Sequence, residues 1–73
     1  ESHYRNGQLH TKGYYRKGKR EGEWEFYYRN GQLEYRGYYK NGIQDGIFQY
    51  YYSKGQLDHN RSGTYKNGKK IEP

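Results

Sequence analysis

The side chains best suited to metal binding or acid-base chemistry are three histidines and eight carboxylates. A two-residue turn at Asn6-Gly7 would place His3 opposite His10, with Glu25 beside His10 on the next strand. Two imidazoles are a poor metal site, since zinc normally takes three or four protein ligands, and Glu25 would add an adventitious ligand at best. We therefore predict no functional metal site and no cofactor.

The carboxylates show no arrangement typical of catalysis. In the expected register they face basic or tyrosine side chains, for example Glu25 opposite Arg36, whereas an acid-base pair needs a cleft and a raised pKa. The sequence also lacks a glycine-rich phosphate loop followed by a helix, a nucleophile elbow and a Ser-His-Asp arrangement in a suitable context. We predict that the chain is not an enzyme and has no catalytic residues.

The elements that would position these residues are β-hairpins. Aromatic and polar residues alternate through 22–57, and the alternation is interrupted at Asn30-Gly31, Asn41-Gly42 and Lys54-Gly55. Asn-Gly between alternating segments is a strong hairpin signal, because both residues tolerate the positive φ of a tight primed turn. We predict an all-β fold, an open antiparallel meander of about six strands that forms an elongated single-layer sheet with little or no helix.

The hairpins repeat at a constant interval along the chain. The segment Tyr-Arg-Asn-Gly-Gln-Leu at 4–9 recurs at 28–33 and, with two changes, at 52–57, so its three starting positions are evenly spaced. Such self-similarity is typical of an array in which each unit contacts its neighbours. We divide the chain into units 1–21, 22–45 and 46–73 of one β-repeat array and expect it to be a fragment of a longer one. Two extra residues within 58–63 should bulge the third unit.

Two-residue turns would also fix which residues face each other. They predict that Tyr28 faces Leu33 and that Tyr35 faces both Phe26 and Phe48. The residues expected to form one continuous apolar face are Trp24, Phe26, Tyr28, Leu33, Tyr35, Tyr39, Phe48, Tyr50, Tyr52 and Leu57. Trp24 should lie opposite Gly37, which leaves room for the indole to cross the backbone.

Tyrosines on the opposite face have no core to bury against. They are Tyr14, Tyr27, Tyr38 and Tyr51. Exposed aromatic residues are enriched at interfaces, so these four are candidate contact residues for a partner. The alternative is that they only pack across neighbouring strands.

Basic residues gather at one edge of the expected sheet. The turns of a meander alternate between two edges, so Lys17-Gly18, Asn41-Gly42 and Asn67-Gly68 share one. The cations beside these turns that could bind a partner are Arg16, Lys17, Lys19, Arg20 and Lys40. A net charge of +6 suits an anionic partner, although lysines at turns also protect sheet edges from aggregation.

Composition limits both the core and the cellular context. The hydrophobic share is 29% and 12 residues are tyrosine, so we expect a thin tyrosine-rich sheet in place of a compact core. Cysteine is absent, which leaves the redox compartment open. No apolar run approaches the roughly 18 residues of a membrane span, so we predict no transmembrane segment.

Two linked motifs carry a family resemblance. The pattern G-x-W-x-x-Y-Y-x-N-G-Q-L at 22–33, followed by G-x-Y-K-N-G-x-x-x-G at 37–46, resembles the MORN repeat variant family, a bacterial relative of the MORN repeat that is often labelled as an antitoxin. The chain departs from the pattern at Phe48, where tryptophan is usual, within 58–63, and in the first unit, which lacks Gly-x-Trp. The resemblance implies an elongated sheet of hairpins that binds proteins or membranes.

We predict a protein-binding module, antitoxin-like in the sense of that resemblance, that presents an aromatic face and a basic rim. The apolar face could also pair with a second copy of the chain. The alternatives are a cell-envelope module for anionic lipid or glycan, to which the choline- and glucan-binding repeats are superficially similar, and a structural spacer. No part of the chain resembles a nucleic-acid-binding fold, so we do not expect that partner. The compartment stays open between cytoplasm and cell envelope.

Overall fold

The computed structural model describes residues 1–72, which form strands and turns and contain no helix. The strands are β1 (Ser2–His3), β2 (Leu9–Arg16), β3 (Lys19–Tyr27), β4 (Leu33–Lys40), β5 (Ile43–Gln44), β6 (Gly46–Tyr50), β7 (Gly63–Lys66) and β8 (Lys69–Glu72). They form one antiparallel sheet in the order β1-β2-β3-β4-β6-β7-β8, with β5 paired to β4. The molecule measures 35 × 32 × 11 Å, and a second sheet would add about 10 Å to its thickness. The predicted all-β single-layer meander is confirmed. The described residues nevertheless form eight strands where about six were expected, and the sheet is nearly as wide as it is long and so is not elongated.

Turns at the two edges of the sheet differ in length. At Lys17-Gly18, Asn41-Gly42 and Asn67-Gly68 both residues have a positive φ, as a two-residue type I′ turn requires. At Asn30-Gly31 the positive φ is confined to Gly31, whose N–H donates to the Tyr28 carbonyl oxygen (3.0 Å). The Tyr28 N–H donates to the Gln32 carbonyl oxygen (2.8 Å), so the loop has three residues and ends in a glycine bulge. The two-residue turn predicted there is wrong.

The longer loop changes the pairs next to it. Leu33 faces Tyr27 and not Tyr28, and a bulge between Phe26 and Tyr27 then restores the predicted pairing of Phe26 with Tyr35. The same type of loop follows Tyr4, whose carbonyl oxygen accepts the Gly7 N–H (3.0 Å). His3 consequently faces Leu9, so the predicted pair of His3 and His10 is wrong.

A second irregularity, a register shift of two residues, occurs in the first two hairpins that have short turns. Gly46 has a φ of 136°, and the Asp45 N–H donates to the Tyr38 carbonyl oxygen (2.9 Å). Two extra residues are accommodated between β5 and β6, so Tyr35 faces Tyr50. The predicted pairing of Tyr35 with Phe48 is therefore wrong. Because the shift is even, each ring keeps its predicted face of the sheet.

The core consists of aromatic rings on one face of the sheet. Its members are the buried Trp24, Phe26, Tyr39 and Phe48, with Tyr35, Tyr50 and Tyr65 packed against them. Trp24 is 3% exposed and lies directly on Gly13, while Phe48 is 0% exposed and lies on Gly37. Trp24 pairs with Gly37 as predicted. Its indole nevertheless crosses Gly13 and not Gly37, because the register shift between Lys12 and Tyr14 brings Gly13 beside it.

The extra residues of the third unit replace part of a strand with a turn. The buried Asp58 carboxylate accepts the N–H groups of Asn60 (3.1 Å) and Arg61 (3.3 Å) and the Arg61 Nε–H (2.8 Å). The Ser62 hydroxyl accepts the Tyr50 N–H (2.9 Å) in place of a strand partner. Strand β7 begins after this turn, so the expected bulge takes the form of a short capped turn.

Candidate binding surfaces

Three type I′ turns lie side by side along one edge of the sheet. The Gly42 N–H donates to the Arg20 carbonyl oxygen (2.9 Å), and the Gly68 N–H donates to the Gln44 carbonyl oxygen (3.0 Å), so the second and third turns are each tied to the hairpin before them. Each hairpin carries exposed cations beside its turn. We call this set the basic rim, and its residues are Arg16, Lys17, Lys19, Lys40, Lys66 and Lys69.

Two shallow depressions run along the basic rim. The first is lined by Arg16, Lys17, Lys19, Glu21, Lys40 and Asn41, and the second by Lys40, Asn41, Ile43, Asp45, Lys66 and Asn67. Lys40 and Asn41 belong to both, so the depressions form one continuous strip. Glu21 accepts the Asn41 N–H (3.1 Å) and is partly engaged within the fold. The strip is therefore net positive and attracts anionic groups.

Arg20, one of the predicted partner-binding cations, lies on the aromatic face and not on the rim. Its guanidinium carbon is 5.0 Å from the ring centroid of Trp24 and 4.9 Å from that of Phe26, and the Arg61 guanidinium is 4.7 Å from that of Tyr50. Such contacts contribute about 0.5–2 kcal/mol each. The two arginines therefore cover part of the aromatic core, which is less open than the sequence suggested.

Tyrosine hydroxyls inside the ring cluster are paired with other polar groups. Those of Tyr35 and Tyr39 lie 3.3 Å apart, and the Gln44 amide donates to the Tyr50 hydroxyl (2.9 Å). Burial raises the pKa of Tyr35 and of Tyr50 above the ordinary tyrosine range. Both phenols are therefore neutral at physiological pH and act in packing.

The four tyrosines expected to contact a partner differ in accessibility. Tyr14 is 62% exposed and Tyr38 is 47% exposed, on the polar face. Tyr27 and Tyr51 are half-buried. The Tyr27 hydroxyl donates to Glu25 (2.9 Å), and burial together with this bond raises the pKa of Tyr27. Tyr14 and Tyr38 are thus the two best placed to meet a partner.

Tyr28 stabilises the edge opposite the basic rim. Its hydroxyl donates to the Tyr51 carbonyl oxygen (2.7 Å), and an equivalent bond occurs one repeat earlier in the chain. Leu33 and Leu57 are half-buried beside the long loops, where they face Tyr27 and Tyr51. Tyr28 therefore ties its loop to the next one, and all three of these predicted structural residues lie outside the ring cluster.

Two exposed residues of the polar face, Ile47 and Glu23, were not identified as candidate binding residues from the sequence. Ile47 is 62% exposed beside Tyr38, and Glu23 shares one depression with Tyr14 and another with Tyr38. Arg36 Nε lies 3.9 Å from the Glu23 carboxylate, beyond direct hydrogen-bond distance. The repeat itself was the available signal, because Ile47 takes the position of Glu23 in the next unit.

His10, the histidine nearest to a carboxylate in the expected register, makes packing contacts. Its ring lies 4.5 Å from the Tyr4 ring, and its Nδ1 is 3.3 Å from the Ser2 hydroxyl. Within residues 1–72, no three side chains of His, Cys, Asp or Glu come together as a metal site would require. The same part of the chain has no helix with the length and hydrophobicity needed to cross a membrane.

These features define a class, the single-layer β-hairpin repeat protein, in which successive units set equivalent side chains along both edges of one sheet. A model of the MORN repeat variant family matches residues 20–41 and 44–59. The match covers more than half of the chain, which therefore belongs to that family. MORN repeats are generally modules that interact with membranes or proteins, and they are typically non-enzymatic. No curated protein and no solved structure matches the chain.

Proposed function

We propose that the chain is a non-catalytic module that binds an acidic surface of a partner protein through its basic rim. The observation that carries this proposal is the alignment of the three type I′ turns, which sets exposed cations of successive hairpins in a row. Arg16, Lys40 and Lys66 hold equivalent positions just before their turns. Each hairpin thus contributes a cation to the same strip.

The spacing of the turns lets these cations act together. Neighbouring turns are two strands apart, about 9.6 Å at the usual strand spacing. This distance is close to the Debye length of roughly 8 Å at physiological ionic strength, so adjacent hairpins act on the same anionic patch. One exposed ion pair contributes about 0.2–1 kcal/mol. Several must therefore combine, and affinity should fall steeply as salt is added.

We place the binding site on the rim and not on the aromatic face, because Trp24 and Phe48 are buried within one chain and their rings offer little accessible area. Several kinds of acidic partner fit this proposal. An antitoxin-like role is one form of the proposal, with a toxin as the acidic partner. Anionic lipid or glycan of a cell envelope would present the same charge, and a structural spacer would bind none of these.

A pair of charge-matched double variants tests the proposal. K40Q/K66Q removes two cations from the basic rim, and R5Q/K54Q removes two from beside the long loops of the opposite edge. The probes are a poly-glutamate peptide, phosphatidylcholine vesicles containing phosphatidylserine, and a sulfated glycan, each titrated at low and at physiological salt. We expect the rim variant to bind the peptide about tenfold more weakly or worse, and the opposite-edge variant to bind it like the wild type.

Three outcomes of these titrations would overturn the proposal. Equal losses in the two variants would mean that net charge alone attracts the peptide. Tighter binding to vesicles or glycan than to peptide would favour the envelope-binding alternative. Failure to bind any of the three probes would favour a structural spacer.

A further inference from the structure

The polar face of the sheet carries the same shallow depression twice, one repeat apart. The first is lined by Lys12, Tyr14, Glu23 and Glu25, and the second by Arg36, Tyr38, Ile47 and Gln49, with Glu23 on the boundary between them. Every residue of the first set has its counterpart one repeat later in the second. Each depression thus combines one cation, one exposed tyrosine and two side chains of the next strand.

We propose that these two depressions bind a proline-rich segment of a partner protein in the polyproline II conformation, with one proline in each. The inference goes beyond the proposed function, because it uses the polar face of the sheet and none of the rim cations. It rests on three observations: the distance between the depressions, the exposure of their tyrosines, and the exposed carboxylate on the boundary between them.

The distance between the depressions fits the repeat of that helix. Lys12 and Arg36 both pair with Glu25, so equivalent points lie two strands apart, about 9.6 Å. In polyproline II, with three residues per turn and about 3.1 Å per residue, residues i and i+3 lie on the same side about 9.3 Å apart. A bound β-strand would instead repeat its same-side residues at intervals of about 6.8 Å. Of these two conformations, the polyproline II helix is the one that places equivalent residues in both depressions.

Tyr14 and Tyr38 supply the surfaces on which proline rings pack. Both side chains are exposed, and the exposed Ile47 extends the apolar area of the second depression. Aromatic-lined grooves are a recurring means of binding polyproline II segments, because the preformed helix loses little entropy on binding. Its carbonyl groups are unpaired within the helix, and the tyrosine hydroxyls and the Gln49 amide are suitable donors to them.

Glu23 adds a charge preference on the boundary between the two depressions. Arg36 lies at ion-pair distance from both Glu23 (3.9 Å) and Glu25 (3.7 Å), and Glu25 also accepts the Tyr27 hydroxyl, so Glu23, with its side chain 46% exposed, has the more accessible carboxylate. A lysine or arginine of the ligand would pair with this carboxylate between the two prolines. The ligand is therefore a P-x-x-P segment that also carries a basic residue.

Fluorescent peptides titrated against the full chain test this inference. The probe has prolines at every third position and an arginine between them, a first control has the same composition with prolines at every second position, and a second has glutamate for arginine. Y14A and Y38A should each weaken probe binding about tenfold or more. Y52A, which removes an exposed tyrosine outside both depressions, should leave it unchanged. E23Q should reduce the preference for arginine over glutamate.

The near-ultraviolet circular dichroism of Trp24 shows whether each variant keeps its fold, and Y14F, which keeps the ring, should retain most of the binding. Equal binding of the first control peptide, or a loss in Y52A as large as in Y14A, would overturn the inference. Binding of an acidic partner by the basic rim is tested separately with the poly-glutamate peptide and K40Q/K66Q. Failure of one proposal is therefore distinguishable from failure of the other.

Discussion

Replacing Gly13 with alanine should destabilise the fold strongly, because the indole of Trp24 occupies the space of the new methyl group. A Cβ at Gly13 would lie 2.6 Å from Trp24 Cε3 and nearer still to two other ring atoms. The φ of Gly13 is not positive, so alanine meets no backbone strain there and the collision dominates the effect. The indole is buried, and its Nε1–H donates to the Tyr14 carbonyl oxygen (3.1 Å). It cannot swing aside without losing that bond.

The expected loss of stability follows from these contacts. Carbon atoms pack best about 3.5–4.0 Å apart, so the ring must move by about 1 Å or more, and overpacking of this kind costs about 1–3 kcal/mol. A buried donor left without its acceptor costs about 1–3 kcal/mol more. Replacing glycine with alanine also lowers the conformational entropy of the unfolded chain, which stabilises the fold by about 0.5–1 kcal/mol. The midpoints of these ranges give a net loss of about 3 kcal/mol, against a total stability of about 4–11 kcal/mol for a chain of this length.

Thermal and urea unfolding, followed by the fluorescence of the single tryptophan, measure this loss. At about 4–8 °C per kcal/mol for a domain of this size, Tm should fall by about 10–30 °C. Gly37→Ala, beneath the Phe48 ring, should behave alike, and Lys12→Ala, an exposed neighbour of Gly13, should stay within about 0.5 kcal/mol of wild type. A G13A protein that melts within a few degrees of wild type, with unchanged near-ultraviolet circular dichroism, would refute the argument.

Two further predictions concern pH. The Arg61 guanidinium and neighbouring backbone N–H groups lower the pKa of Asp58, so its contribution to stability is present above the ordinary aspartate pKa and is lost as the pH falls through the lowered one. Urea unfolding across acidic pH should show a weaker dependence in Asp58→Asn than in Asp45→Asn, the exposed control. Burial raises the pKa of Tyr35 and Tyr50, so their contribution to the free energy of unfolding should stay level from neutral pH to about pH 10 and decrease above it, as the unfolded chain ionises first. Tyr35→Phe should flatten that decrease, and a wild-type profile already flat at alkaline pH would contradict the assignment.

The hairpins and their order could be predicted because turn chemistry and strand alternation repeat together at the same interval along the chain. The exact loop type could not, since Asn41-Gly42 forms a two-residue turn while the same dipeptide at Asn30-Gly31 ends a three-residue loop. In the longer loop the Asn30 side chain accepts the Gln32 N–H (2.9 Å) and donates to the Ser53 carbonyl oxygen of the next unit (3.0 Å). Such contacts between repeats are not encoded in a local pattern.

The basic rim could likewise be predicted, because a meander places alternate turns on the same edge. The location of Arg20 could not, since strand alternation does not describe a long side chain that folds back over three rings. The same limit applies to the accessibility of the aromatic face, where Arg20 and Arg61 lie over rings that strand alternation alone would leave open. The composition has few aliphatic residues and therefore predicts little burial. It does not show how much area tyrosine rings and arginine side chains bury when they stack over one another.

The placement of rings on glycines explains how a sheet only 11 Å thick can bury its largest side chains. Trp24 and Phe48 occupy space above Gly13 and Gly37 that a Cβ would fill, so the sheet needs no second layer to cover them. The positions that line the polar face and the rim are not part of this contact. Glu23 is replaced by an exposed isoleucine one repeat later while the ring-on-glycine contact persists. Binding preference can therefore change from unit to unit of such an array without loss of the contacts that hold each unit to its neighbour.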